Sequence, residues 1–415
     1  MKPFTLNERL RAGAVLAATQ CEGGELESSW IYWWGLGYIR DHASPAVAAQ
    51  HAQLWKSDAE LLGKLGMQAV RLGVDWTRVE PQEEMFDEEA LARYRAELSA
   101  LREDGISVVL ELHHFTSPAW FEDKGGFERE ENLPLYLSYV ERVAAALGDL
   151  AEGYLTFVEP NAYAVGGYLG GDYPPGRNNP SACYRVLTHM ARCHVLAYER
   201  LHALHESLSL GACRVSASLR AQAFSPRDEK SRAQRLLCRA AQRSFDAAFL
   251  AFYRGELRLP MKYDRYLSPG THCDFLALDW YGRTNVSEPL DLTPFAPRSG
   301  VTDASALLDL LGRLHALAPM PISVTLAGVE DIARVSALAE TLRALSGSGL
   351  PVERFYYAPL LDGFEWLDGQ SRRLGLVQVD FETQSRSVKP AGEFYRRVLA
   401  ARGADEALLA AYRHN

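Results

Sequence analysis

Eight short apolar segments recur along the chain, each followed by a stretch with helical spacing, and no break in composition separates them. They are Gly13 to Thr19, Gln68 to Val74, Ser107 to Leu112, Gly153 to Val158, Leu210 to Leu219, Asp274 to Asp279, Pro321 to Thr325 and Arg354 to Tyr357. Between them, His51 to Leu65 sets Leu54, Ala59, Leu61 and Leu62 on one side and is closed by Gly66. Further helical patterns cover Asp87 to Asp104, Leu133 to Leu147, Ser181 to about Ser207, a stretch reaching Tyr253, Ala304 to Leu317 and Asp331 to Leu345. Pro390 to Leu399 reads as a closing helix. Strand–helix alternation repeated eight times predicts the α/β class, with residues 1–415 forming a single (β/α)8 (TIM) barrel. An open doubly wound sheet is the weaker alternative, because no glycine-rich turn joins an early strand to its helix.

In such a barrel the chemistry sits at the C-terminal ends of the strands. The fourth segment ends Thr156-Phe157-Val158-Glu159-Pro160. Proline cannot donate to a ladder, so the strand stops there and leaves Glu159 at its end. The residues that follow, from Asn161 to Gly176, are rich in glycine, tyrosine and proline, which suits a cleft wall. Taken alone, Glu159 reads first as a surface carboxylate capping the next helix, and it is the rest of the chain that shifts the balance. The other strand ends supply Gln20, Arg71, His114, Asp279, Tyr281 and the stretch after Tyr357. This polar set beside aromatic faces suits a sugar. Trp30, Trp33 and Trp34 line the entrance or pack within their loop.

Composition excludes several classes. The 415 residues carry a net charge of −9 with no basic run, which argues against nucleic acid and against an anionic membrane surface. The first residues hold no apolar signal core, and no stretch approaches the roughly 18 apolar residues of a spanning helix. Cys21, Cys183, Cys193, Cys213, Cys238 and Cys273 are scattered without metal-type pairing. They read as reduced thiols of a cytoplasmic protein. The expected partner is a small sugar or glycoside, without a cofactor or metal; the oligomeric state stays open.

Several motifs together resemble glycoside hydrolase family 1, the β-glucosidase and 6-phospho-β-glycosidase family, over nearly the whole length. Ala17-Ala-Thr-Gln20-Cys-Glu-Gly resembles the family's opening motif, whose glutamine binds the terminal sugar. Arg71 to Pro81 resembles its arginine-serine-tryptophan-arginine-proline motif. Leu112 to Pro118 resembles the histidine motif, with His114 in the sugar-binding place, and Gly125-Gly126-Phe127 the glycine-glycine-tryptophan after it. Glu159-Pro160 resembles the motif of the general acid/base. Asp279-Trp280-Tyr281 resembles asparagine-tyrosine-tyrosine. Leu360 to Trp366 resembles the stretch that grips sugar hydroxyls, with Glu365 and Trp366 as its site residues, and Leu374 to Asp380 continues the match.

The departures concern the chemistry. A retaining glycosidase divides the work between two carboxylates about 5 Å apart. The resemblance places the family's nucleophilic glutamate at Leu326, within Val324-Thr325-Leu326-Ala327-Gly328, and the loop after it is short. Val158, Ala358 and Gly363 replace an asparagine, a tryptophan platform and a second asparagine. Arg71 and Tyr281, which normally hold the nucleophile, have open roles. Asp279 is the expected partner of Arg71, ahead of two other readings: Asp279 as a second catalytic carboxylate, or Arg71 as the holder of an anionic ligand. Glu111 is a charge in an otherwise apolar strand for which the sequence offers no role. Two functions remain: a pseudo-glycosidase that binds carbohydrate, or an active carbohydrate enzyme with altered chemistry that uses Glu159 as acid or base. An ordinary β-glucosidase is the remaining alternative.

Overall fold

The computed structural model describes residues 1–257, 267–268, 270–286 and 302–412. Among these, eight parallel strands close into a barrel. In chain order they are β1 (Arg11–Leu16), β2 (Ala69–Gly73), β3 (Ser107–Glu111), β4 (Gly153–Val158), β5 (Val215–Pro226), β6 (Leu276–Val286), β7 (Ile322–Ala327) and β8 (Val352–Ala358). Ala14 of β1 pairs with Tyr357 of β8, which shuts the ring. The principal helices are α1 (His51–Lys64), α2 (Glu88–Glu103), α3 (Leu133–Leu147), α4 (Pro180–Leu208), α5 (Arg232–Arg254), α6 (Ala304–Leu317), α7 (Asp331–Gly347) and α8 (Pro390–Ala401). The fold is the (β/α)8 barrel that the alternation predicts.

The helices start and stop for local reasons. Asn179 accepts from the backbone N–H groups of Ser181 and Ala182, and Pro180 supplies the first helical residue of α4. Asp87 caps α2 in the same way through Ala90. The buried faces of the helices meet the outward side chains of the strands in one apolar layer that includes Val324, Leu326, Leu278, Trp280 and Phe355. Each large apolar side chain sealed there stabilises the fold by about 1.5–3 kcal/mol.

Inside the barrel the filling is partly ionic. Arg71 of β2 donates from Nε to Glu111 of β3 (2.7 Å) and from Nη1 to Asp279 of β6 (2.6 Å). The same Nη1 reaches the hydroxyl of Thr325 on β7. Asp279 also accepts from Ser218 of β5. Five strands are thus tied in one layer. Above it opens a cavity at the C-terminal mouth, and below it a smaller hollow at the base, ringed by Glu152, Arg214, Glu353 and Arg354; Arg71 borders both.

Two strands depart from the sequence reading. The fifth was expected at Leu210 to Leu219 and the sixth at Asp274 to Asp279, but both run well past the barrel rim. Their outer halves pair with each other as a ribbon, Ser225 with Asn285 and Pro226 with Val286. These halves are mostly half-buried and lack an apolar run, so apolarity could not mark their ends. The first strand is shorter than expected, because Ala18–Cys21 forms a helical turn that carries Gln20. At the base, Phe4–Thr5 pairs with Gly403–Ala404. Among the described residues no helix is long and apolar enough to cross a membrane.

Candidate functional site

The mouth cavity has a volume of about 140 Å³ and is bordered by Gln20, Arg71, His114, Glu159, Asp279, Tyr281, Glu365 and Trp366. All eight residues singled out from the sequence therefore meet in one place, although they come from six different strand ends. The cavity also takes in Asp172 and Tyr173, from the segment Asn161 to Gly176 that reads as a cleft wall, and Arg40, Arg220, Asp368 and Arg372, which the sequence reading missed. Arg220 gave a usable signal, the one charge in the otherwise uncharged segment Val215 to Ala221, as Arg71 is in Gln68 to Val74. The others lie on loops, where polar residues carry no such contrast.

Glu159 stands at the end of β4 with φ 51° and ψ 47°, a left-handed conformation uncommon outside glycine. Pro160 follows at once and opens a short helical turn, Pro160–Ala164. The Glu159 N–H donates to the carbonyl of Ser218 (2.7 Å), which pins this backbone to β5. Its Oε1 accepts from the Tyr281 hydroxyl at 2.7 Å. Its Oε2 is buried with no hydrogen bond among the described residues, 3.6 Å from Arg220 Nη1. Arg220 lies flat on the Tyr281 ring, 3.6 Å from its centre. Asn161 fixes Arg220 by bonding both its backbone N–H and its carbonyl. Burial pushes the Glu159 carboxyl above the ordinary range; Arg220 opposes this, while Asp279 adds to it. The group is therefore suited to hold a proton in the cavity.

Arg71 and Asp279 belong to the floor. Both oxygens of Asp279 are engaged, one by Arg71 and one by Ser218. Glu111, which had no role in the sequence reading, is the second partner of Arg71, and its other oxygen meets His114 Nδ1 at 3.3 Å. Burial alone would raise the Glu111 carboxyl, but Arg71 and then His114 hold it down to about 2. The expectation that Arg71 pairs internally with Asp279 is met, and Glu111 shares the load.

On the opposite wall Glu365 Oε2 accepts from Gln20 Nε2 at 2.9 Å, and its Oε1 has no hydrogen-bond partner among the described residues. Burial lifts this carboxyl to about 7, with Arg372 opposing and Asp362 and Asp368 reinforcing. The Trp366 ring lies 5.2 Å from His114, 4.9 Å from Phe115 and 4.9 Å from Trp30. Trp30 and Trp33 are buried and Trp34 is partly exposed, so packing explains the first two.

The seventh strand corrects one expectation. Leu326 does not face the cavity. It is 1% exposed and sits in the apolar layer between strands and helices. Strand alternation turns its neighbours inward: Thr325 bonds Arg71, and Ala327 borders the cavity. Val158 likewise packs with Val109, Leu155, Phe275 and Ala277 inside the barrel, whereas Ala358 does line the cavity.

Comparison with known proteins agrees with this geometry. The sequence model described as glycosyl hydrolase family 1 matches residues 8–266 and 323–404. The chain is 25% identical to beta-glucosidase A of Thermotoga maritima, over 95% of this chain and 97% of that protein. It is 26% identical to a beta-glucosidase of Agrobacterium, over 92% and 93%. Among solved structures, a beta-glycosidase from Pyrococcus horikoshii superposes with a TM-score of 0.86 at 27% identity, covering 99% of this chain and 98% of that one.

Proposed function

Because the chain belongs to glycosyl hydrolase family 1, we propose that it is a carbohydrate-binding protein of that family without standard retaining β-glucosidase activity. One observation carries the reading. The side chains that β7 turns toward the mouth are Thr325 and Ala327, and neither is a carboxylate. Retention needs a nucleophile about 5–5.5 Å from the acid/base. Asp279 lies on β6, where Arg71 and Ser218 tie it into the barrel floor, and we read it as a structural partner of Arg71.

On this reading Glu159 keeps the acid/base position and Tyr281 orients it. Gln20, His114 and Glu365 bind hydroxyls of a sugar or glycoside, and Trp366 offers its ring to the sugar's apolar face. Arg71 and Asp279 are structural. The whole chain is taken as one barrel unit, working with reduced thiols in the cytoplasm and without metal or cofactor. A second reading rests on Glu159 itself. Its raised, buried carboxyl beside Tyr281 suits a proton donor, so an inverting hydrolysis, a glycosyl transfer or an elimination would still have its acid.

Turnover of aryl β-glucosides and β-galactosides tests the first reading, with little or none expected. A covalent fluorosugar adduct seen by mass spectrometry would overturn it. Calorimetry with monosaccharides and glycosides should show binding that Glu365→Ala abolishes. Glu365 accepts hydroxyl donors best as a carboxylate. Affinity should therefore rise as pH climbs through about 7, and Glu365→Gln should remove that dependence.

A further inference from the structure

Helix α5 carries a feature that the sugar site does not use. Between Lys230 and Phe245 the sequence holds five cations and no carboxylate. The cations are spread over fourteen residues, so they form no run in the sequence. On the helix Arg232, Arg235, Arg239 and Arg243 fall on one side, a stripe about 16 Å long at 1.5 Å per residue. Arg232, Arg239 and Arg243 are exposed, and Leu236 stands among them 62% exposed. Among the described residues none of these four arginines pairs with a carboxylate. Asp246, on the same side, is engaged by Arg313 at 2.7 Å.

The complementary surface lies on the same chain. The turn at Glu83 and the start of α2 that follows it, through Glu89, hold five carboxylates in seven residues. Within this stretch Met85 is 59% exposed, as Leu236 is at the centre of the stripe. Glu83 pairs with Lys124 and Glu88 with Arg142, exposed pairs that contribute little. Glu84, Asp87 and Glu89 are exposed and, among the described residues, make no ion pair.

We propose that copies of this chain associate head to tail, the basic stripe of α5 on one copy seating on the acidic stretch 83–89 of the next, with Leu236 against Met85. The stripe follows β5 and the acidic stretch follows β2, three strands apart in the ring, so one molecule cannot bring its own two surfaces together. Two different patches in contact make a heterologous interface, which builds rings or open chains. A second copy suits the stripe because the acidic stretch offers carboxylates opposite the arginines and an exposed Met85 opposite the exposed Leu236.

Sedimentation velocity and light scattering of the full chain decide the matter. At low salt the mass should exceed that of a monomer, and it should fall back at high salt as charges are screened. Arg239→Glu with Arg243→Glu should give a monomer, and so should Glu84→Lys with Glu89→Lys. Unchanged melting curves would show that both variants fold. Mixing the two should restore association, since each reversed patch then meets an opposite one. A monomer at low salt would overturn the proposal. So would association indifferent to either variant, or a mixture that stays monomeric. Binding of the wild type to phosphatidylserine vesicles, lost in the arginine variant while the protein stays monomeric, would overturn it too and reassign the stripe to a membrane surface.

Discussion

Leu326 and Ala327 are adjacent, yet they face opposite environments. A glutamate at 326 would enter the apolar layer with no partner, and at 327 it would reach the cavity. Leu326→Glu should therefore cost about 3 kcal/mol or more, and Ala327→Glu about 1 kcal/mol or less. Denaturant midpoints compare the two. Equal midpoints would mean that the strand faces have been assigned the wrong way round. The same pair marks what a residue-by-residue reading can recover. Arg71, Glu159 and Asp279 stood out because a charge at the end of an apolar strand needs a reason. The facing of Leu326 did not, because alternation has period two and a match to a motif fixes position without fixing phase. Glu111 was visible as a charge without a role, and only its partner on β2 gave it one.

The loop after β8 illustrates a contact between elements. A Cβ on Gly363 would stand 2.2 Å from the carbonyl oxygen of Gln20. That closeness lets Phe364 N–H bond the same carbonyl at 2.8 Å and sets Glu365 beside the Gln20 amide. Gly363→Ala should push the loop off the helical turn at Ala18–Cys21, costing about 2 kcal/mol and weakening sugar binding along with it. Calorimetry and thermal melts read both; a variant that binds normally would show that the close approach is dispensable. Nearby, the fully buried Arg334 donates to the carbonyls of Val329, Arg373 and Gly375, fastening the short connection after β7. Elements of this kind were legible where apolar spacing marked them. The ribbon formed by the outer halves of β5 and β6 was not, since its strands are held by each other and not by burial.

For the whole molecule, alternation sufficed to predict the barrel, because few folds accept eight strand–helix repeats. It could not show that the interior is braced by charge. That bracing sets an acid limit. Glu111 is held near 2 against an ordinary 4.5, so its contribution to stability is complete above about pH 4.5 and is lost as pH falls toward about 2. Melting temperatures should drop through that window. Glu111→Gln should flatten the drop while lowering the melting temperature at neutral pH. Arg71 borders both the mouth cavity and the base hollow, so its side chain stands between them. Trimmed to alanine, it would leave a vacancy the shape of its own head group between Glu111 and Asp279. Free guanidinium ion, kept below denaturing concentration, should lodge there and recover part of the lost melting temperature, whereas sodium at equal ionic strength should not.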